Sequence, residues 1–355
     1  MVRGSSGTRG PVRFGDGLQW RTPGGPDVAA PLPVHFLTIV LNGEPFLRHH
    51  VAAFEALPFP WHWHVVEGAA ALTHDTAWSL AAGGRVDDAQ HRGGRSVDGT
   101  EETLDALARA HPGQVTVHRK PRGTLWDGKL EMVNAPLRAM RQPGLLWAVD
   151  VDELWTTEQL VRGRALFLAH PDRRAAYYRC RYFVGPDLVV TTRDGYGNGP
   201  WEWLRTWRYR PGNRWLSHEP PILATRLEAL LQWKRRRRGR GPKPPFLPGD
   251  PRTFSRDETE REGLVFQHLA YVLEAQVRFK ETYYGYAGAL DRWRALQATP
   301  TRPTRLRDHF PWVADDTLVG RASAEGLAPL VPLPRPAPPA RVEAATRLAG
   351  PRGPA

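Results

Sequence analysis

The chain has 355 residues, 41% hydrophobic and 24% charged, which is enough length and apolar content for a folded core and is not the composition of a disordered protein. One cysteine, Cys180, excludes an internal disulfide framework and any cysteine-based metal cluster. A formal net charge of +12 admits anionic partners. No apolar run approaches the ~20 residues of a membrane-spanning helix, and the start MVRGSSGTRG lacks a signal peptide's apolar stretch, so a cytoplasmic location is expected.

Residues 1–32 are rich in Gly, Pro and Arg without periodicity and read as a disordered lead-in. Val34–Val40 is a continuous apolar run ending at Leu41-Asn42-Gly43, the pattern of a strand buried on both faces. Glu44-Pro45 opens a helix, with proline early, where its missing N–H does no harm. Residues 61–66 form a second strand that stops at Glu67. A helix over 103–110, a strand over 115–118, a helix over 129–140 and a strand over 145–149 follow. Thr156 with Gln159 makes a capping box for the next helix.

Alternating strands and helices with short connections predict a mostly parallel Rossmann-type sheet flanked by helices, an α/β fold. Residues 177–183, 187–192, 204–210 and 214–218 alternate instead like antiparallel strands, with Pro211-Gly212-Asn213 as a hairpin turn, and form an antiparallel attachment. The folded body is expected over 33–318. A basic loop spans 234–250, and residues 319–355 make a proline-rich tail, unpacked from about Pro329 onward. Lys234, Arg235, Arg236, Arg237, Arg238 and Arg240 form one run beside Gly and Pro. Such a run is either a solvated loop or a grip for phosphates of nucleic acid, lipid headgroups or an anionic membrane face. Arginine used throughout in place of lysine is also a coding habit of GC-rich genomes.

Ligands of open parallel sheets sit beyond the carboxyl ends of the strands, which singles out Asn42, Glu67 and the cluster Asp150-Val151-Asp152-Glu153. Crowded carboxylates repel one another, and a bound cation removes that cost. Asp-x-Asp suits Mn2+ or Mg2+, which take carboxylate oxygen and leave positions open for phosphates. The alternative is an acidic loop exposed to water.

Six segments in order resemble glycosyltransferases of the GT-A fold, close to the large family 2 of inverting enzymes. Phe36-Leu-Thr-Ile-Val-Leu-Asn42-Gly-Glu44-Pro-Phe-Leu47 is similar to the opening strand and turn, and Val65-Val66-Glu67-Gly68 to the second strand with its nucleobase-contacting acid. Gly128-Lys129-Leu-Glu-Met-Val-Asn134 is similar to the helix before the metal strand, and Trp147-Ala-Val-Asp150-Val-Asp152-Glu153 to that strand. Residues 207–219, ending in His218-Glu219, resemble a hairpin of one sub-branch. Gln267-His268-Leu-Ala-Tyr271, with Lys280 and Tyr284, resembles its His-x-x-Tyr helix.

The resemblance implies transfer of a sugar from a nucleotide-diphosphate donor to an acceptor hydroxyl on a glycan, lipid-linked glycan or protein, with inversion. Asp150 and Asp152 would hold the metal, His268 would complete its shell or simply pack in the core, and Asn42, Glu67 and Asp150 would contact the donor. Lys129 would stand near the diphosphate or be a surface lysine. An inverting displacement needs a carboxylate base, for which Glu219, oriented by His218, is expected and Glu202 is the rival. Trp201, Trp203, Trp207 and Trp215 are candidates for a sugar-stacking platform. Peripheral contact at the inner face of the membrane accompanies this reading, and nucleic acid is the disfavoured partner. Two other functions compete. A sugar-nucleotide nucleotidyltransferase should open with a basic glycine-rich loop, which 41–45 is not. A non-enzymatic anion or nucleic-acid binder acting through 234–240 leaves the strand-end acids unexplained.

Overall fold

The computed structural model describes residues 32–240 and 245–333. The expected lead-in up to residue 31, residues 241–244 of the basic loop and the tail beyond 333 lie outside the described residues. In chain order the first half contains β1 (Val34–Val40), α1 (Leu47–Glu55), β2 (Trp61–Glu67), α2 (Trp78–Ala81), α3 (Thr100–Ala110), β3 (Val115–His118), α4 (Gly128–Asn134), β4 (Gly144–Ala148), β5 (Glu153–Leu154) and α5 (Thr157–Ala169). The second half contains β6 (Ala175–Tyr177), β7 (Arg179–Gly185), β8 (Leu188–Val190), β9 (Leu204–Tyr209), β10 (Arg214–Ser217), β11 (Ile222–Ala224), α6 (Arg226–Arg237), β12 (Thr253–Phe254), α7 (Arg256–Arg261), β13 (Val265–His268), α8 (Glu274–Tyr284), α9 (Ala289–Ala298), β14 (Thr304–Arg305) and β15 (Leu318–Arg321).

The apolar runs become the centre of a seven-stranded sheet ordered β12-β6-β9-β4-β1-β2-β3, in which β4, β1, β2 and β3 are mutually parallel. Phe36, Trp63 and Trp147 face α1 and α5, while Leu37, Val66 and Leu146 face Met132 and Val133 of α4. Burial on both faces is why these strands read as continuous apolar runs. A second sheet, β14-β15-β8-β7-β13-β5, is antiparallel except where β7 pairs with β13, and β10 and β11 form a separate ribbon. The fold is α/β, a mostly parallel central sheet flanked by helices with antiparallel strands attached. The expected capping box starts α5: Thr156 Oγ1 accepts the Gln159 N–H, and Gln159 Oε1 accepts the Thr156 N–H.

Several expectations are corrected. The helix over 129–140 stops at Asn134, because Pro136 cannot donate to a continuing helix and opens a short 3₁₀ turn instead. Strands over 204–210 and 214–218 are not a hairpin, since β9 is flanked by β4 and β6 and β10 pairs with β11. Residues 177–183 divide between two sheets. His268 ends a strand, not a helix. The basic run begins inside α6. Beyond 318 the chain still packs: β15 pairs with β8, Val331 is buried, and the Gln267 side chain bonds the backbone of Ala328 and Leu330.

Candidate functional site

The acidic cluster lies where the chain crosses between sheets. β4 ends at Ala148, residues 149–152 turn, and β5 pairs with β13 so that Glu153 stands opposite His268. β9, antiparallel to β4, delivers Arg205 to the same place. Its guanidinium donates from Nε and Nη2 to the fully buried Glu153 carboxylate at 2.6–3.0 Å and from Nη2 to Asp150 Oδ2 at 3.2 Å. Burial opposes that charge, yet Glu153 and Asp150 hold the Arg205 pKa above its ordinary value. Sequence reading missed Arg205, an arginine within an alternating strand like many others in this chain.

Asp152 points to the other side. Its Oδ1 stands 3.5 Å from His268 Nε2, and its Oδ2 accepts a 3.4 Å hydrogen bond from Gln276. Burial opposes the charge, but His268 and Lys280 draw the Asp152 pKa down to about 2. The His268 ring is wedged between Tyr182 and Trp203, with Nδ1 buried and unpartnered among the described residues. Asp150, Asp152 and His268 therefore do not converge as three ligands, and among the described residues no three His, Cys, Asp or Glu side chains are grouped to hold a metal. What fits a divalent ion is a two-donor seat, one carboxylate and one imidazole, with the remaining positions left for phosphate and water.

Lys129, at the start of α4, donates to Glu219 Oε1 at 3.0 Å and to the Tyr284 hydroxyl at 2.6 Å. Burial opposes the Lys129 charge, while the Glu219 side chain is partly exposed. Even so, Glu219 and Tyr284 raise the Lys129 pKa, and Lys129 and His218 hold the Glu219 carboxyl well below the usual carboxylate range. Glu219 sits in the turn joining β10 and β11. That turn is pinned by Asp75, whose Oδ2 accepts the backbone N–H groups of His218 and Glu219 and a hydrogen bond from the Ser217 hydroxyl. Asp75 was not expected from sequence, where one aspartate in a loop carries no signal. His218, Asp150 and Arg205 line a small pocket with Leu37, Trp215 and Pro221. Lys280 lies over the Tyr271 ring, its pKa lowered by burial, and makes no ion pair among the described residues. Glu202 uses Oε2 to accept the Gly199 N–H at 2.7 Å, its other oxygen takes no hydrogen bond among the described residues, and loss of hydration raises its pKa.

The expected donor contacts are placed differently. Glu67 is completely buried; its oxygens accept from the Ser96 N–H and hydroxyl (both 2.8 Å), Arg95 (3.2 Å) and Arg119 (3.0 Å). Asn42, in the left-handed region at φ 58°, donates to the Gln90 carbonyl and accepts from the Val97 N–H. Both side chains are spent on holding the 90–97 loop over the ends of β1 and β2. Of the expected tryptophan platform, Trp207 and Trp215 are buried in the core. The aromatic row beside the Lys129–Glu219 pair is another: Trp78 lies parallel to Tyr284 (5.7 Å, 3°), Tyr284 adjoins Tyr286 (5.7 Å), and Tyr286 stacks on Trp312 (4.5 Å, 14°).

No protein-family model and no curated protein matches the chain. Among solved structures it is similar to S. aureus TarS 1–349 at 12% identity and TM-score 0.33, over 50% of this chain and 47% of that one. It is similar to S. aureus TarS at 12% identity and TM-score 0.32, over 50% of this chain and 28% of that one. It is also similar to the mannosyltransferase PcManGT from Pyrobaculum calidifontis, in complex with GDP-Man and Mn2+, at 14% identity and TM-score 0.36, over 80% of this chain and 70% of that one. The chain thus spans about half the length of TarS 1–349. At such TM-scores the likeness carries no weight for fold or chemistry, which rest on the geometry above.

Proposed function

We propose that the protein is a glycosyltransferase of GT-A type that moves a sugar from a nucleoside-diphosphate donor to a glycan, lipid-linked or protein hydroxyl, with inversion. One observation carries this: past the carboxyl ends of the parallel strands, acids able to seat a cation stand next to cations, Asp150 against Arg205, Asp152 against His268, and Lys280 close to Asp150, Asp152 and Lys129. A nucleoside diphosphate with its metal is the ligand class that needs both signs of charge together.

Asp152 and His268 would hold Mn2+ or Mg2+, with Asp150 at the margin, and the ion's contribution is to neutralise charge on the leaving diphosphate. Lys280 adds fixed positive charge to the same space. The 90–97 loop, tied down by Asn42 and Glu67, walls the nucleoside end. An acceptor hydroxyl must lose its proton as it attacks, and the better base is the carboxylate with an oxygen not already committed to a cation. Glu219 is held by Lys129, whereas Glu202 keeps one oxygen free of hydrogen bonds among the described residues. We therefore assign proton acceptance to Glu202 and give Glu219, with His218, the task of fixing Lys129 beneath the aromatic row.

Calorimetry of UDP and GDP binding with Mn2+, Mg2+ or chelator, on wild type and Asp152→Asn, tests the donor site. Binding should require metal and fall in the variant, and indifference to both would overturn the assignment. Screening nucleotide sugars for metal-dependent hydrolysis identifies the donor. NMR of the transfer product should show the anomeric centre inverted, and retention sinks the single-displacement mechanism.

A further inference from the structure

The basic run does not lie wholly in a loop. Its first residues close α6, a helix whose apolar side faces away from the protein. Leu227, Leu230, Leu231 and Trp233 are 67, 46, 52 and 48% exposed, while Ala229 is buried. At 100° per residue Leu227, Leu230, Leu231 and Lys234 share one face with Arg237 at its edge, Trp233 lies further round on that side, and Ala229 lies across the helix. Lys234, Arg237, Arg238 and Arg240 are all exposed at the same end, and the Arg237 guanidinium lies 4.2 Å over the Trp233 ring. The opposite end is fixed: Thr225 and Glu228 cap it reciprocally, and Glu228 faces Arg174 at 3.8 Å.

An amphipathic helix ordinarily turns leucines inward and charges outward. This one presents both to solvent, so its partner must take apolar and cationic groups on one surface. Nucleic acid satisfies the cations and leaves the leucines in water. A second copy of the chain packed antiparallel would cover the leucines but leave the cations of each copy without an anionic partner, since Glu228 at the facing end is already set against Arg174. An anionic bilayer accepts both: leucines and the indole enter the acyl boundary while arginine and lysine reach the phosphates.

We propose that α6 is a membrane-docking helix that seats the protein on an anionic lipid surface. This is independent of the activity at the cleft, which lies toward the other end of the β10–β11 ribbon.

Flotation of the full-length chain with vesicles of phosphatidylcholine alone, or of equal parts phosphatidylcholine and phosphatidylglycerol, tests it. Binding is expected only to the anionic vesicles. Replacing Lys234, Arg237, Arg238 and Arg240 by Gln should weaken partitioning about a hundredfold or more. Replacing Leu227, Leu230, Leu231 and Trp233 by Gln should weaken it about tenfold or more without lowering the melting temperature. Failure of the wild-type chain to float with anionic vesicles at low salt overturns the proposal. So does full binding by the leucine-free variant, which would reduce the effect to charge alone. Tighter binding to duplex RNA or DNA than to vesicles, or a wild-type dimer that the leucine-free variant dissociates, assigns the face to another partner and also overturns it.

Discussion

At the scale of single residues, the site is decided by which carboxylates are already partnered. Glu219 and Glu202 look equivalent in sequence, but the first is fixed 3.0 Å from a lysine and the second is not. Glu202→Gln, which cannot accept a proton, should lower kcat by about 10²- to 10⁴-fold with donor affinity nearly unchanged. Glu219→Gln should cost much less in kcat. Steady-state kinetics on both variants checks the pair, and the reverse ranking returns the base to Glu219. Glu67 is the second case. With its carboxylate shared by Arg95, Arg119 and Ser96, removal leaves two arginines around an empty acceptor site. Glu67→Ala should destabilise the fold by about 3–5 kcal/mol, the usual cost of breaking a buried pair. Urea denaturation measures this, and a loss below about 1 kcal/mol would show that those arginines find water instead.

At the scale of elements, α5 reaches the sheet through Gly163. A Cβ there would lie 2.5 Å from Trp147, whose indole is boxed in by Trp155 and Tyr178 and cannot step aside. Alanine gains about 1 kcal/mol in helix propensity, but overpacking a rigid neighbour costs about 1–3 kcal/mol. Gly163→Ala should therefore lower the melting temperature despite the better helix former. The aromatic row contributed by α2, the end of α8 and the segments that follow α8 and α9 makes a different prediction. Trp78 is exposed, and its ring is parallel to Tyr284, whose hydroxyl accepts from Lys129. Under the proposed function, Trp78→Ala should raise the KM for a glycan acceptor by about three- to tenfold and leave donor hydrolysis unchanged. An equal loss of donor hydrolysis would place Trp78 elsewhere in the mechanism.

At the scale of the molecule, four histidines lie side by side across β1, β2 and β3. His62 stacks on His64 at 4.1 Å, and His35 and His118 each lie 5.7 Å from His64. Burial, reinforced by neighbouring imidazoles, lowers His35 to about 4, His64 to about 2 and His118 as well, and burial by itself lowers His62. The folded protein keeps these rings neutral at pH values where the unfolded chain binds protons. Their contribution is complete above about pH 6.5 and is lost as pH falls toward the folded pKa values. Between pH 7 and pH 5 this removes about 2 kcal/mol for each of His35 and His64. Urea midpoints at the two pH values should show the drop, and His64→Asn should flatten it. A wild-type midpoint independent of pH across that window would mean the cluster is hydrated.

Sequence by itself determined the elements whose cause is local. β1, β2 and β4 follow from uninterrupted apolar runs ended by turn residues, the start of α5 from the Thr156–Gln159 reciprocity, and the strand-end position of Asp150 and Asp152 from where one such run stops. Each depends on neighbours within a few residues, so each is written in the order of the chain. Tertiary structure alone decided the partners. β10 pairs with β11 because β4 and β6 occupy both edges of β9. Arg205 reaches Asp150 from 55 residues away, and Glu67 is enclosed by arginines from two later segments. The leucines of α6 have the spacing of a core helix, yet the body of the fold leaves them outside. Periodicity says that a face is apolar, but only the packing of distant elements says what, if anything, will cover it.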